Sequence, residues 1–278
     1  MIHKHIQLTV CVSLLFVGVS SLAMQAPELA MDTQGYINLI DHVHGQERTS
    51  AENPGYRVEF LALTDFVRWN NIYLAGLISN KTVIRGELSR GEFTLYQLMY
   101  NIRPDIRYEL PTAIIRAGIN HESNHTVSQA DPAGYVWMNS LQVSIGTKGS
   151  NYLFIREQFK PYKNQFINDL DGYVFLARYR DSAGTIWTGR YHDYEWKIGG
   201  RLRFQIGSFN KWAYFAGTDV TAWLRETGDW EYRTVLRLNL FRKQLHNFAG
   251  FYYAYHLYDT YSFDNESYLG SVGFQVIF

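Results

Sequence analysis

Cysteine is all but absent. The single one, Cys11, lies in a segment with the layout of a secretory leader. That segment has a short start carrying Lys4, an apolar run over residues 8–19, and small residues at Ser21-Leu22-Ala23 suited to cleavage after Ala23. Residues 1–23 are therefore expected to be a signal peptide. The remaining chain of about 255 residues then has no thiol chemistry and no disulfide, and is long enough for one domain. No charge of one sign dominates: 26 Lys and Arg face 26 Asp and Glu. That balance excludes a nucleic-acid partner held by a basic surface. Past the leader no apolar run approaches the roughly 20 residues of a membrane helix. Proline is scarce, six in all.

Aromatic residues are abundant, with 21 Tyr, 17 Phe and 7 Trp. An exported chain rich in aromatics, without cysteine or spanning helices, points to a β protein, either soluble or closed into an outer-membrane barrel. The end of the sequence favours the barrel. Val272, Phe274, Val276 and Phe278 alternate with Ser271, Gly273, Gln275 and Ile277, as in a tilted strand about ten residues long that crosses a bilayer. Alternating aromatics that finish on Phe278 resemble the C-terminal strand by which the barrel assembly machinery recognises bacterial outer-membrane proteins.

Strand patterns follow almost without pause over residues 56–66, 70–78, 82–88, 92–102, 112–123, 135–146, 151–158, 172–180, 194–206, 212–223, 231–241, 248–257 and 269–278. Turn signals such as Ser79-Asn80, Arg90-Gly91 and Thr227-Gly228-Asp229 separate them. Single-chain bacterial barrels have even strand numbers, so an antiparallel all-β barrel of about 12 strands is expected, with one early segment merged or lost. Residues 24–54 are polar and irregular and read as an N-terminal periplasmic arm, leaving 55–278 as the barrel. Arg178 and Arg180, Arg201 and Arg203, and Arg233 and Arg237 alternate with apolar or small residues, and are expected to form a charged inner face. Asp171, Glu195, Asp219 and Glu231 are available as counter-charges.

One hairpin carries a chemical pattern. In the strand over 112–123, His121 and Ser123 share the face of Ala113, Ile115 and Ile119, while Arg116, Asn120 and Glu122 lie on the other. In a barrel the apolar face is the lipid face, where polar residues are costly unless they pair or act. In the next strand Asn139 shares its face with Leu141, Val143 and Ile145. Paired positions in a hairpin have a constant index sum. A loop centred near Ala130 therefore places His121 opposite Asn139 and Ser123 opposite Trp137. The three then have the types required for acyl transfer: Ser123 as nucleophile, His121 as base, Asn139 as orienter of the imidazole.

Gly118-x-Asn120-His121-x-Ser123-Asn124, followed by Asn139 on the next strand, resembles the active-site region of outer membrane phospholipase A. The resemblance implies a twelve-strand barrel with a lipid-facing Ser-His-Asn triad at the outer leaflet, made of Ser123, His121 and Asn139. It also implies activation by calcium and by homodimer formation. His125 and Thr126 stand where that family places an arginine. A second resemblance covers more of the chain. His121-x-Ser123-Asn124-His125, with Phe215-Ala216-Gly217-Thr218-Asp219 and Asp229-Trp230, is similar to a group of outer-membrane barrels of uncharacterised function. It implies the fold and no activity.

The expected function is hydrolysis of acyl esters in outer-membrane lipids. Lipid A deacylases, which also use a His-x-Ser pair on a barrel exterior, define an alternative substrate. A non-enzymatic barrel, either a narrow pore or a structural protein, is the alternative class. His42 and His44 offer two metal ligands without a third. His192, His246 and His256 stand alone.

Overall fold

The computed structural model describes residues 26–45, 57–85, 94–126, 135–147, 170–185, 194–243, 248–260 and 268–277. Twelve strands account for nearly all of them: β1 (Glu28–Gly45), β2 (Arg57–Trp69), β3 (Ile72–Arg85), β4 (Thr94–Glu109), β5 (Ala113–Thr126), β6 (Tyr135–Thr147), β7 (Leu170–Thr185), β8 (Tyr194–Phe209), β9 (Trp212–Arg225), β10 (Trp230–Lys243), β11 (Phe248–Asp259) and β12 (Tyr268–Ile277). Each pairs antiparallel with its sequence neighbours, and β1 pairs with β12, so the sheet closes on itself. Closure leaves no open edge, which is the condition for strands to cross a bilayer.

Alternation sets the two faces. Along β6, Val136, Met138, Ser140, Gln142 and Ser144 are buried, while Leu141, Val143 and Ile145 are exposed. The outward set around the barrel includes Ile37, Ile78, Ile106, Ile119, Leu176, Ile198, Leu238, Phe251 and Phe274. A continuous apolar exterior on a closed sheet is a lipid-facing belt, and the molecule is an outer-membrane β-barrel. At one end, β2–β3 and β8–β9 turn through residues 70–71 and 210–211, where Asn70 and Asn210 adopt φ of 54° and 53°. Asparagine tolerates that left-handed geometry in two-residue hairpins. Most of the longer connections, through 46–56, 86–93, 127–134 and 186–193, join strands at the other end, while 148–169 joins β6 to β7 at the end of the tight turns. The end with most long connections is the side that faces outside the cell in such barrels.

The lumen is charged and paired. Asp105 accepts from Arg103 at 2.9 Å and from Arg116 at 3.4 Å, and Arg107 donates to Asp65 at 2.7 Å. Asp219 lies between Arg201 and Arg237. Glu231 meets Arg225 and Tyr194, and Asp259 meets Arg233. The expected counter-charges Asp171, Asp219 and Glu231 thus face arginines, Asp171 at 3.8 Å from Arg203.

Several expectations are corrected. Residues 28–45, expected to belong to a periplasmic arm, form β1, the strand that pairs with β12 to close the barrel. The turn expected at Ser79-Asn80 is absent: the segments at 70–78 and 82–88 merge into one strand, β3, which is the early merger that the even strand number implied. The strand expected to end at 102 continues through Pro104 to Glu109. Arg178 and Arg180 are not on the inner face: Ala177 and Tyr179 point inward, and both arginines are exposed on the outside. The expected leader, the segment 151–158, His192, His246 and Phe278 lie outside the described residues.

Candidate active site

The register of β5 and β6 places His121 against Asn139 and Ser123 against Trp137. On the other side, β4 sets Ile102 beside His121 and Tyr100 beside Ser123. All of these share the outward face with Ile119, Leu141 and Val143. They lie near the β5–β6 connection, toward the long-connection end. The three candidate residues are therefore on one outward wall, on adjacent strands.

His121 Nδ1 lies 2.8 Å from Asn139 Oδ1. A carboxamide oxygen only accepts, so Nδ1–H is the donor. In a neutral imidazole this contact leaves the lone pair on Nε2, the state a general base requires. The imidazole also stacks on Trp137, with centroids 6.2 Å apart and planes at 29°. Asn139 and Trp137, both from β6, thus fix the ring in tautomer and in plane. Ser123 is 5% exposed, on the same face and flanked in register by Tyr100 and Trp137. Among the described residues its hydroxyl makes no hydrogen bond to His121. His125, next on this face, stacks on Tyr135 at 6.1 Å and meets the edge of Tyr100 at 5.9 Å. Ser123 therefore sits in a wall of aromatic rings at the level where a barrel meets the lipid headgroups.

The opposite face of β5 anchors the strand. Asn120 Nδ2 donates to Glu122 Oε1 at 2.9 Å, and Tyr179 OH donates to Glu122 Oε2 at 3.2 Å. Lys197, from β8, also reaches Glu122. Gln97 Nε2 donates to Asn124 Oδ1 at 2.8 Å. Residues 120, 122 and 124 are thus held on the inside while 121 and 123 face out.

Alternation in sequence finds His121, Ser123 and Asn139. It does not find Tyr100, which comes from a strand outside the hairpin, nor the outward Arg178 and Arg180 on β7. Arg178 pairs in register with Leu141, and Asp181 pairs with Asn139, with a bulge at the step between them. The guanidinium of Arg178 lies 5.2 Å from the ring centre of Trp196. Below these residues the outer wall of β6–β9 forms an apolar groove of about 820 Å³, lined by Val143, Ile145, Val174, Leu176, Ile198 and Val220 among others.

Among the described residues no group of three or more His, Cys, Asp or Glu is arranged to hold a metal ion. His42 lies on β1 opposite Ser271, and His256 contacts Asp259 at 3.1 Å. The donors a calcium ion prefers, several oxygens including carboxylates, are not gathered on the outer wall beside Ser123 by the described residues.

No protein-family model matches the chain, and no curated protein sequence matches it. Solved structures similar to it include outer-membrane proteins. It is similar to outer membrane phospholipase A from Escherichia coli at 12% identity and a TM-score of 0.47, covering 88% of this chain and 89% of that one. It is similar to the Salmonella typhi outer membrane phospholipase dimer with bound calcium at 12% identity and a TM-score of 0.46, covering 88% and 90%. A loop-deletion mutant of OmpT from Vibrio cholerae follows at 10% identity and a TM-score of 0.41, covering 91% and 99%. The barrel assignment itself rests on the closed strand ladder of this chain.

Proposed function

We propose that this barrel is an acyl-ester hydrolase acting on membrane lipids from its outer wall. The observation that carries the reading is the 2.8 Å contact from His121 Nδ1 to Asn139 Oδ1, on a lipid-facing surface with Ser123 two residues along the same face. A histidine and an asparagine bonded to one another on that surface are costly ornaments without a task. In the proposed reaction the Ser123 hydroxyl rotates to His121 Nε2, which takes its proton as Oγ attacks the ester carbonyl carbon. The tetrahedral intermediate collapses, the imidazolium protonates the departing alcohol oxygen, and an acyl-serine remains. Water, deprotonated by the same Nε2, then releases the fatty acid and restores Ser123. Hydrogen bonds of this kind often tighten only when substrate binds. Asn139 is neutral, so it holds the tautomer without adding a negative charge to the apolar wall.

The test is direct. Refolded protein is incubated with phospholipid, lysophospholipid and lipid A, each with calcium and with chelator, and released fatty acid is measured by mass spectrometry. Release by the wild type and none by Ser123→Ala supports the reading. Equal release by both, or none by the wild type under any condition, overturns it. The chelator arm reads the calcium requirement, and a concentration series reads whether two copies are needed. A pore is the less favoured reading, because the described lumen charges are paired and Lys197 of β8 reaches Glu122 of β5.

A further inference from the structure

We infer that Arg178 and Arg180 form a phosphate-binding subsite on the outer wall, which seats the headgroup of an anionic lipid beside Ser123 and His121. The inference rests on the proposed hydrolase and names its substrate class.

Both guanidinium groups are on the exterior of a lipid-facing barrel, where a cation is tolerated near the interface and not in the hydrocarbon. Among the described residues neither is ion-paired, in contrast to the lumen, where arginine after arginine meets a carboxylate. Arg178 is held in place: Trp196 of β8 lies against its guanidinium at 5.2 Å, and Leu141 of β6 flanks it in register. Arg180 sits at the β7 bulge opposite Asn139 and Ser140, a device that re-aims side chains. The carboxylates nearby are Asp181, the register partner of Asn139, and Glu195, next to Trp196 on β8; among the described residues neither forms an ion pair with Arg178 or Arg180.

The position fits a lipid. Strands lie about 4.8 Å apart, so β7 is roughly 10 Å from β5 along the wall, a separation that long arginine side chains shorten. A phosphate oxygen bonded by the two forks, as guanidinium groups bind phosphate, leaves the neighbouring glycerol esters toward β5 and β6. The apolar groove over β6–β9 lies on the membrane side of Arg178, with Leu176, Val174 and Ile198 leading away from it. It accepts an acyl chain of the same lipid.

The experiment uses the full chain carrying Ser123→Ala, so that lipid is bound and not consumed. Lipid retention from neutral detergent is measured by native mass spectrometry with phosphatidylglycerol, lipid A, phosphatidylcholine and diacylglycerol. The expected result is a preference of at least about tenfold for the anionic lipids over phosphatidylcholine, falling to within about threefold in Arg178→Gln/Arg180→Gln. Arg242→Gln, which removes an exposed arginine near the opposite end of β10, keeps the preference. Preference for phosphatidylglycerol or for lipid A alone supports the subsite and identifies the phosphate source. Equal retention of anionic and zwitterionic lipids, or a preference unchanged in the double variant with its heat-modifiable gel migration intact, overturns the inference. Binding is read without turnover. A wild type that hydrolyses nothing leaves this result standing, and a lost preference leaves the hydrolase reading standing.

Discussion

His121 has few ways to be satisfied on a lipid-facing wall, and the two it has come from β6: the Asn139 carboxamide at 2.8 Å and the Trp137 ring. Ring and carboxamide belong to alternate positions of one strand, so both contacts follow from a single register. Ser123→Ala is expected to bring ester hydrolysis to background with unchanged circular dichroism, because the hydroxyl makes no hydrogen bond to His121 that the fold would lose. His121→Ala is expected to cost as much, since residues that act as a unit are not additive. Asn139→Ala removes orientation but not the base, and an intermediate loss of roughly ten- to a hundredfold in kcat is expected. A loss in Asn139→Ala equal to that of Ser123→Ala would assign the asparagine a larger part than holding a tautomer.

At the scale of the element, β5 is a two-sided strand. Its inner residues Arg116, Asn120, Glu122 and Asn124 are buried and bonded, and its outer residues meet lipid or the candidate site. Gly118 lies on the inner face between Arg116 and Asn120, opposite Asp105. A Cβ there would stand 2.4 Å from the Pro104 carbonyl oxygen and 2.6 Å from the Asp105 Cβ. Backbone cannot yield cheaply, so Gly118→Ala is expected to lower stability by about 1–3 kcal/mol. Urea unfolding in detergent micelles checks this; unchanged stability would mean that β4 and β5 part easily. The pairing of His121 with Asn139 was legible in sequence because apolar alternation in both strands fixes each face, and a one-residue slip would invert it. The outward aim of Arg178 and Arg180 was not legible. Leu176 and Ala177 give no contrast that fixes parity, and the β7 bulge breaks the period of two. Strand β1 was hidden for a similar reason: only Ile37 and Leu39 make a clear lipid face in its middle, with glycine and polar residues around them. Pro104 has no N–H to give a ladder, so it reads as a strand end; pairing with Gly76 of β3 carries the chain through it, while the ladder to β5 resumes at Asp105.

The whole molecule departs from the usual distribution: most of its paired charges lie inside, beside apolar clusters such as that of Phe215 and Phe241, while its outer wall is mostly apolar. Closure between β1 and β12 makes this possible, since every strand is paired on both sides and the exterior carries only side chains. The interior charges then help hold the barrel's shape, because pairs such as Arg107–Asp65, Arg116–Asp105, Lys197–Glu122 and Arg237–Asp219 join different strands. Asp105 is the most enclosed of them, with 1% of its side chain exposed, and it faces both Arg103 and Arg116. Replacing it with asparagine keeps the shape and removes the carboxylate charge that the Arg103 and Arg116 guanidinium groups share. The expected cost is about 3 kcal/mol or more, since removing one member of a buried pair is strongly destabilising. A lower urea midpoint than wild type for Asp105→Asn, with no such change for an exposed outer-wall substitution such as Ile106→Val, would place the stability of the barrel in its lumen. Equal midpoints for the two would place it in the strand ladder alone, and the paired charges would then serve to fill the lumen and not to hold it.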